Sequence, residues 1–370
     1  MIRTTVTVQP MLRFPEFSGN WIKADVAWFL EKSSKPVSIQ SGQVYQEIGV
    51  RSHGKGIFYK TAGVGEALGD KRVFWVVPNA LVLNIVFAWE QAVALTTKHE
   101  VGFIASHRFP MFVPRENRAD TRFARDFFLR PRGKWLLELA SPGGAGRNKT
   151  VGQSNFAELP VVWPSQDEQR EIADFLAAVD KRISLLLRRC DALTHYKTGV
   201  MQRLFDQSFR FTRDDGSSFP DWEERTLGDI LSYEQPTKYL VSDENYSNEF
   251  LTPVLTAGKT FILGYTSESY GIYNKDLPVI IFDDFTTSSK LVEFPFKAKS
   301  SAMKILKRKN RYDNTSFIFS LINSINFVPN GHQRHWISEF QHLVVPYPHP
   351  DEQRKIADFL NELDKKIAVV

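Results

Sequence analysis

The sequence has a single cysteine, Cys190, among 370 residues. One cysteine excludes an internal disulfide, and such cysteine usage is typical of a reducing compartment. The chain also lacks any run of about 18 uninterrupted apolar residues, and its first ten residues have no apolar core after Arg3. We therefore expect neither a membrane span nor a signal peptide, and we predict a cytoplasmic protein without a membrane partner.

Motifs of catalysis are missing as well. The sequence has no P-loop lysine motif, no glycine-rich nucleotide loop after a strand, no Cys/His spacing for zinc and no Asn-Pro-Pro-Tyr or Asp-Pro-Pro-Tyr stretch. The adjacent carboxylates Asp283 and Asp284 could hold Mg²⁺, but two neighbouring acids are a weak signal. We predict that the chain is not an enzyme, with no catalytic residue, no metal site and no cofactor of its own.

What the chain does have is an ordinary globular composition with unevenly distributed charge. Hydrophobic residues make up 42% and aromatic residues 13% of the chain, which suffices for two or three domains. Lys and Arg exceed Asp and Glu by 21 − 13 = 8 over 1–164, whereas the balance is 15 − 18 = −3 over 206–348. The first segment could meet a polyanion through bulk charge, and the second would need a local basic patch.

One stretch of the sequence is written twice. DEQREIADFL occupies 167–176 and DEQRKIADFL occupies 351–360, an offset of 351 − 167 = 184 residues. The similarity continues upstream through NFAELPVVWP and EFQHLVVPYP, and a second echo joins FPEFSGNW to FPDWEERTLGDIL. Such a repeat indicates two copies of one structural frame. The segments inside the frame, 30–150 and 235–330, share little similarity.

The repeated stretch begins a long amphipathic helix. Nine of ten positions spaced by alternating steps of four and three are apolar over 172–204, which favours a coiled coil. Ser165 and Glu168 have the spacing of a capping box, and Pro350 suits a first helical turn. At 1.5 Å per residue, a helix over 165–205 is about 60 Å long, roughly twice the second helix.

Two matched apolar seams favour antiparallel pairing of these helices, although each helix could instead pack only on its own domain. The predicted seam consists of Ile172, Leu176, Val179, Ile183, Leu186, Ile356, Leu360, Leu363 and Ile367. Because the second helix is short, we expect the first helix from about Cys190 to Leu204 to have no intramolecular partner. That uncovered half could mediate self-association.

The repeated blocks resemble those of a known family. FAELPVVWPSQDEQREIADFLAAVDKRISLLLRRCDALTHYKTGVMQRLF (156–205) is similar to the central conserved region of the specificity subunits of type I restriction-modification systems. The segment 340–370 is similar to the start of their second conserved region. LRFPEFSGNW and SFPDWEERTLGDI resemble the openings of the family's two target-recognition domains.

The resemblance implies an architecture of four parts. Two globular mixed α/β (α+β) target-recognition domains, 1–164 and 206–348, are separated by conserved helices, 165–205 and 349–370, that pair as an antiparallel coiled coil. Strand-like runs such as RVFWVV and LPVIIFDDF agree with mixed α/β domains.

The resemblance also implies a function in phage defence. Each recognition domain would read one half of a split sequence in double-stranded DNA, and the helices would set the gap. Methyltransferase subunits would dock on the assembly, and restriction subunits would join for cleavage. S-adenosylmethionine, ATP and Mg²⁺ would then belong to these partners.

Two glycine-containing loops directly before the repeated blocks are the stronger candidates for DNA contact. Glycine permits close approach of backbone to phosphate, Arg can bridge guanine O6 and N7, and Asn or Gln can bridge adenine N6 and N7. The loops also resemble the family's positions beside DNA, and a solvated loop is the alternative interpretation. They supply Arg147, Asn148, Lys149, Gln333 and Arg334.

Two weaker candidates follow from local composition. The hydroxyl-rich loop DDFTTSSK supplies Thr286, Thr287 and Lys290, and an ordinary turn is the alternative. The basic run RFARDFFLRPRGKW supplies Arg125 and Arg132, which could face phosphate. We predict that its aromatic residues form the core face of a helix rather than a platform for stacking bases.

Two other functions stay open at this point. The chain could be a coiled-coil scaffold that binds no DNA, or a stand-alone nuclease or methyltransferase with degenerate motifs. The repeated blocks enclose two segments of unlike sequence. This favours a sequence-specific DNA-binding subunit, since a scaffold does not need two different globular domains.

Overall fold

A computed structural model describes residues 4–5, 10, 12–69, 71–143, 149–258, 260–327 and 334–370. The chain forms two compact units, unit 1 (1–183) and unit 2 (184–370). Both units combine short, mostly antiparallel strands with helices, which confirms the predicted mixed α/β class. The division lies inside the long helix, and the finer boundaries at 165, 206 and 349 remain predictions. No helix in the described part of the chain is long and apolar enough to cross a membrane.

Unit 1 is built mainly from very short strands. Its strands are β1 (Thr4–Thr5), β2 (Ile22–Asp25), β3 (Leu30–Ser33), β4 (Val44–Tyr45), β5 (Ile48–Val50), β6 (Ile57–Tyr59), β7 (Gly63–Val64), β8 (Val73–Trp75), β9 (Leu81–Leu83), β10 (Val93–Leu95), β11 (Ile104–Ser106), β12 (Met111–Pro114) and β13 (Pro160–Trp163). Its helices are α1 (Val26–Phe29), α2 (Thr121–Phe128), α3 (Pro131–Leu139), α4 (Gln153–Ala157) and the first part of α5 (Gln166–Phe205).

The central sheet of unit 1 has the strand order β10-β9-β12-β3, and all neighbours are antiparallel. Successive side chains of a strand point to opposite faces, and β9 places apolar residues on both. Leu81 and Leu83 pack into the core that contains Phe128 of α2, whereas Val82 packs with Met111 in a second cluster. The sheet is therefore covered on both faces.

Unit 2 has longer strands around a similar centre. Its strands are β14 (Glu223–Thr226), β15 (Leu231–Glu234), β16 (Thr252–Leu255), β17 (Ile262–Thr266), β18 (Val279–Asp283), β19 (Ser289–Val292), β20 (Lys297–Ala298), β21 (Met303–Arg308) and β22 (Val344–Tyr347). Its helices are the last part of α5, α6 (Leu227–Ile230), α7 (Thr315–Ser324), α8 (His335–Ser338) and α9 (Pro350–Ala368).

The central sheet of unit 2 repeats the order of the first one, as β19-β18-β21-β15, again with antiparallel neighbours. Ile280 and Phe282 of β18 pack into the core beneath α7, whereas Val279 and Ile281 face a second cluster. The sequence repeat thus extends to a repeated sheet topology, although the strands themselves differ in sequence.

Each unit also closes on itself through a short ladder. In unit 1, β2 pairs antiparallel with β13, the strand that directly precedes α5. In unit 2, β14 pairs in the same way with β22, directly before α9. Trp163 and Tyr347 end these ladders and are buried. An early strand of each unit, β2 or β14, is therefore fixed beside the start of a repeated helix.

The two repeated helices begin close to their predicted starts. Helix α5 has 40 residues and α9 has 19. Pro350 occupies the first turn of α9 as predicted, after the N-cap His349. The capping box predicted at Ser165 is only half formed, because Glu168 N donates to Ser165 Oγ at 3.4 Å while the Glu168 carboxylate binds other residues.

Within unit 2, α9 packs antiparallel on the C-terminal end of α5. Lys197 Nζ lies 2.5 Å from Asp364 Oδ1, and further along α5 the buried Leu204 shares a core with Ile356 and Leu360. The expectation that the helix from Cys190 to Leu204 lacks an intramolecular partner is therefore wrong at its C-terminal end. The same core contains Leu363, whereas Ile367 is half-buried.

The earlier part of the predicted seam behaves differently. Ile172 packs against the core of unit 1, and Leu176 and Leu186 are half-buried. Val179 and Ile183 are 38% and 50% exposed, so these two side chains do not form the buried seam that the periodicity predicts. Periodicity identifies an apolar face, but it does not determine which part of a long helix a shorter helix covers.

Candidate nucleic-acid interface

In unit 1, a buried glutamate at the start of α5 binds the segment that opens the unit. Arg13 donates to the Glu168 carboxylate from Nε at 2.8 Å and from Nη2 at 2.6 Å, and Trp21 Nε1 donates to it at 3.2 Å. The planar guanidinium matches a carboxylate in this two-bond arrangement. The hydrogen bond with Glu168 raises the pKa of Arg13. Phe14 adds an edge contact with Phe175, with centroids 5.7 Å apart.

Unit 2 repeats this cluster residue for residue. Arg210 donates to the Glu352 carboxylate from Nε at 3.2 Å and from Nη2 at 2.9 Å, and Trp222 Nε1 donates at 3.0 Å. The hydrogen bond with Glu352 raises the pKa of Arg210. Phe211 again contacts Phe359, with centroids 5.7 Å apart. We call these two clusters the glutamate locks, and they explain why the sequence repeats Glu and Phe at the helix starts.

The next repeated residue is a glutamine that binds backbone. Gln169 Oε1 accepts from Asp120 N at 3.0 Å, and its Nε2 donates to Pro164 O at 2.9 Å. Asp120 is the N-cap of α2. Gln353 likewise accepts from Asn314 N at 2.9 Å, and Asn314 is the N-cap of α7. Each repeated helix start therefore holds both the opening segment and the main helix of its unit.

In unit 2, the loop between β18 and β19 is shaped by the first residue of the acidic pair. Asp283 Oδ1 accepts from Phe285 N at 2.9 Å and from Thr286 N at 3.3 Å. Thr287 adopts φ 58° and donates its N–H to Asp283 O. The turn leaves Thr286 and Lys290 exposed, with Thr287 half-exposed. Thr286 and Lys290 therefore face solvent, whereas the Thr287 hydroxyl donates to Thr286 O at 2.7 Å.

The second acid, Asp284, ties this loop to the segment before the repeated block. Its carboxylate accepts from Trp336 N at 2.9 Å and lies 3.3 Å from Lys304 Nζ, and its carbonyl accepts from His335 N at 2.9 Å. The exposed Arg334 directly precedes this contact. Both acids are thus engaged by the protein itself. Over the described residues, no group of three His, Cys, Asp or Glu side chains could hold a metal ion.

Unit 1 has a corresponding tie at the same repeat offset. Val151 N donates to Ile85 O at 2.9 Å, and 335 − 151 = 184 relates Val151 to His335. Lys149, two residues earlier, places Nζ 5.4 Å from the centroid of Trp89 in the loop after β9. The structure therefore brings Lys149 beside that loop, as it brings Arg334 beside the loop of unit 2.

The two arginines of the basic run that are predicted to face phosphate, Arg125 and Arg132, lie on α2 and α3. Arg125 donates from Nε to Asp126 Oδ1 at 2.8 Å and lines a cleft of about 500 Å³. Arg132 is exposed and lies 4.2 Å from the centroid of Trp135. The predicted core face is correct for most of the run but wrong for Trp135, which is 48% exposed. Its buried members are Phe123, Phe128, Leu136 and Leu137.

Three of the predicted DNA-contacting residues, Arg147, Asn148 and Gln333, lie outside the described residues. In unit 2, Thr286, Thr287, Lys290 and Arg334 lie on two segments joined through Asp284. In unit 1, Lys149 lies near the loop after β9, while Arg125 and Arg132 are on the helices. Each unit thus exposes its own set of cationic and polar side chains.

Sequence reasoning missed the arginines of the glutamate locks. The signal was present, since LRF (12–14) and FRF (209–211) both carry the Arg-Phe pair. The spacing obscured it, because Arg13 and Trp21 are 21 − 13 = 8 residues apart whereas Arg210 and Trp222 are 222 − 210 = 12 apart. Because the two spacings differ by four residues, a search with one constant offset does not align Arg13 with Arg210 and Trp21 with Trp222 at the same time.

Comparison with known proteins gives consistent matches. The family described as "Type I restriction modification DNA specificity domain" matches residues 83–195 and 220–370. The specificity subunit of the type I restriction enzyme EcoR124I/EcoR124II from Escherichia coli is 48% identical over 143 residues, which cover 37% of this chain and 35% of that protein. A putative type I restriction enzyme MjaX specificity subunit from Methanocaldococcus jannaschii is 22% identical over 243 residues, 61% of this chain and 57% of that protein. The matches thus span less than two thirds of either curated relative.

Solved structures share the fold along almost the whole chain. The type I restriction-modification S subunit from M. genitalium matches with a TM-score of 0.59 at 17% identity, covering 98% of this chain and 93% of that one. The HsdS subunit from Thermoanaerobacter tengcongensis matches with a TM-score of 0.51 at 14% identity and the same coverage, 98% and 93%. At such identities the likeness concerns the fold.

Proposed function

Because the chain belongs to the family of type I restriction modification DNA specificity domains, we propose that it is the DNA-reading subunit of a type I restriction-modification system. It is a non-catalytic component that reads a bipartite target in double-stranded DNA, one half per unit. The observation that carries this proposal is the duplicated frame, with the same glutamate lock and sheet order in both units and unlike loops between them. Two different readers on one frame suit a target with two different halves.

The exposed side chains of unit 2 support the reading role. Lys290 and Arg334 can bind phosphate or guanine, and Thr286 can bond to base edges or phosphate. All three are exposed, and none of them belongs to the core. In unit 1, Lys149 and Arg132 would make the equivalent contacts with DNA. This segment is more basic as a whole, with 21 − 13 = 8 net positive charges over 1–164.

Helix α5 supports the proposal that the gap between half-sites is fixed. Its 40 residues amount to about 60 Å at 1.5 Å per residue. Because each glutamate lock attaches the opening segment of its unit to a repeated helix start, a change in helix length would change the spacing of the two readers. A change in a loop would alter only the sequence read.

Methyltransferase and restriction subunits are the proposed protein partners, and the protein acts in the cytoplasm. S-adenosylmethionine, ATP and Mg²⁺ are used by those subunits. Exposed apolar side chains on α5 support docking of another chain there, because such side chains favour burial against a partner. They are Val179 and Ile183, one helical turn apart at 38% and 50% exposure. Self-association would use the same surface, rather than the end of the helix covered by α9.

The proposal is tested by co-expressing the chain with the methyltransferase encoded beside its gene in a host without DNA methylation. Modified adenines are then mapped by single-molecule sequencing. We expect a split motif with two defined halves and a constant gap. A stable complex that modifies no motif would contradict the proposal, as would cleavage or S-adenosylmethionine binding by the purified chain alone. Absence of both a complex and salt-dependent DNA affinity would favour the scaffold function.

A further inference from the structure

Unit 2 contains a buried ion pair for which unit 1 has no counterpart. The side chains of Asp284 and Lys304 are 2% and 1% exposed, and Lys304 Nζ lies 3.3 Å from Asp284 Oδ2. The ammonium group also lies 5.0 Å from the centroid of Tyr233. Removing two charges from water costs several kcal/mol per ion before their attraction is counted. The presence of a buried ion pair at this position therefore requires an explanation.

The strand registers identify the equivalent residues of unit 1. Leu81 pairs with Phe112 in unit 1, and Ile280 pairs with Leu306 in unit 2. Counting outward from these pairs along the same strand order equates Asp284 with Ile85 and Lys304 with Pro110. The positions of the charges are thus apolar in unit 1.

The frame does not need the ion pair in order to form. Unit 1 builds the same sheet order and the same backbone tie, Val151 N to Ile85 O at 2.9 Å, with apolar side chains at both positions. Replacing a buried ion pair by apolar residues of similar size is often neutral or stabilising in proteins. The pair in unit 2 is therefore not explained by stability.

What unit 2 adds is a second tie between two surface segments. Asp284 directly follows β18 and starts the loop with Thr286, while its carboxylate accepts from Trp336 N at 2.9 Å, two residues after Arg334. Lys304 Nζ on β21 lies 3.3 Å from that carboxylate and balances its charge without a hydrogen bond to it. In place of the buried carboxylate, unit 1 has, besides the main-chain bond, the half-exposed contact of Lys149 with Trp89. The exposed Thr286 and Arg334 are therefore fixed relative to each other more firmly than Lys149 and the loop after β9.

We propose that Asp284 and Lys304 are positioning residues for sequence reading by unit 2: they hold the loop with Thr286 and Lys290 in register with Arg334, so that both segments read one DNA half-site together. This inference rests on the proposed function. Neither residue touches DNA, because both side chains are buried. Their effect is on which bases are accepted, through the placement of exposed neighbours.

Two double variants distinguish the effect of the hydrogen bond to Trp336 N from the effect of the charges of Asp284 and Lys304. Asp284→Asn with Lys304→Met keeps an oxygen that can accept from Trp336 N, whereas Asp284→Leu with Lys304→Met removes it. Ile85→Leu in unit 1 is the matched control, because its side chain accepts no hydrogen bond. Each chain is co-expressed with the methyltransferase, and base preference is determined separately for each half of the motif from the sequenced modifications.

We expect the Leu/Met variant to lose about tenfold or more in base discrimination at one or more positions of a single half-site. The other half and the gap should be unchanged. The Asn/Met variant should lose less discrimination than the Leu/Met variant, because it keeps the acceptor for Trp336 N but not the ion pair. The Ile85→Leu variant should stay close to the wild type. Preferences unchanged in the Leu/Met variant, or altered in both halves, would overturn the inference. Unfolding of the Leu/Met variant would also overturn it, because the pair would then serve stability. Failure of the proposed function is distinguishable, since the wild-type chain would then yield no split motif.

Discussion

Unit 1 and unit 2 resemble each other where they meet the repeated helix starts and differ where they face solvent. Both have an Arg–Glu–Trp lock, a Phe–Phe contact at 5.7 Å and a glutamine on an N-cap. At the loops, however, Ile85 stands where Asp284 is, and the first segment has a net charge of 21 − 13 = 8 against 15 − 18 = −3. The difference indicates that the residues that attach each unit to its helix must be the same in both units. The exposed loop residues are free to differ.

The largest expected effect comes from breaking one lock. Glu352→Ala leaves the Arg210 guanidinium without its carboxylate and Trp222 without its acceptor, so we expect the free energy of unfolding of unit 2 to fall by about 3 kcal/mol. Glu168→Ala should destabilise unit 1 instead. Chemical denaturation measures the loss, and limited proteolysis shows which unit opens first.

The control for this comparison is Asp351→Ala, next to Glu352 but 57% exposed. Its exposed ion pairs should contribute less than about 1 kcal/mol. If Glu168→Ala and Glu352→Ala opened the same unit first, the two locks would not be independent.

A smaller loss is expected from the glutamine contacts. Gln169→Ala removes the partners of Asp120 N and Pro164 O, and buried backbone groups without partners cost about 2 kcal/mol. Urea unfolding checks this value. Gln202→Ala, exposed on the same helix, should change stability by less than about 0.5 kcal/mol. Equal losses for the two variants would mean that Gln169 does not hold α2.

Within a lock, the tryptophan should matter less than the glutamate. Trp222→Phe keeps an aromatic ring but loses the single hydrogen bond to Glu352, a contribution of about 1 kcal/mol. Arg210 continues to neutralise the carboxylate in this variant. The midpoint of urea unfolding gives the measurement, and a loss as large as that of Glu352→Ala would contradict the assigned order.

The smallest expected effect concerns DNA affinity through unit 1. Arg132→Ala should reduce the slope of log affinity against log salt by about one, which is the loss of one phosphate contact. Arg125→Ala should reduce it less, because Asp126 already neutralises part of that charge. Titration of the assembled complex with target duplex at several salt concentrations measures both slopes.

Arg354→Ala provides the control, since this exposed arginine on α9 pairs with Asp351. It should leave the slope unchanged. Equal slopes for Arg132→Ala and the wild type would remove Arg132 from the interface.

Much of the frame could be predicted from the sequence, because its features are local or repeated. Ser165 and Pro350, the predicted start signals, lie within one residue of the observed starts of the two helices. Apolar runs such as LPVIIFDDF indicated the central strands, since both faces of β9 and β18 are covered.

The features that sequence reasoning missed depend on contacts between distant segments. Arg13 and Glu168 are 168 − 13 = 155 residues apart, and no local pattern joins them. Burial of the Asp284 carboxylate against Lys304 required knowledge of the β18–β21 register, so the acidic pair could be interpreted as a metal site. Trp135 was assigned to the core from its neighbours, although the helix turns it toward solvent and Arg132.

The most direct test of two independent readers compares Lys149→Ala with Lys290→Ala, one exchange in each unit. Modified adenines are mapped for both variants in complex with the methyltransferase. The account predicts that each exchange alters preference or efficiency at one half of the motif, that the two halves differ, and that the gap stays constant. An exchange that alters both halves or the gap, or two exchanges that alter the same half, would contradict it.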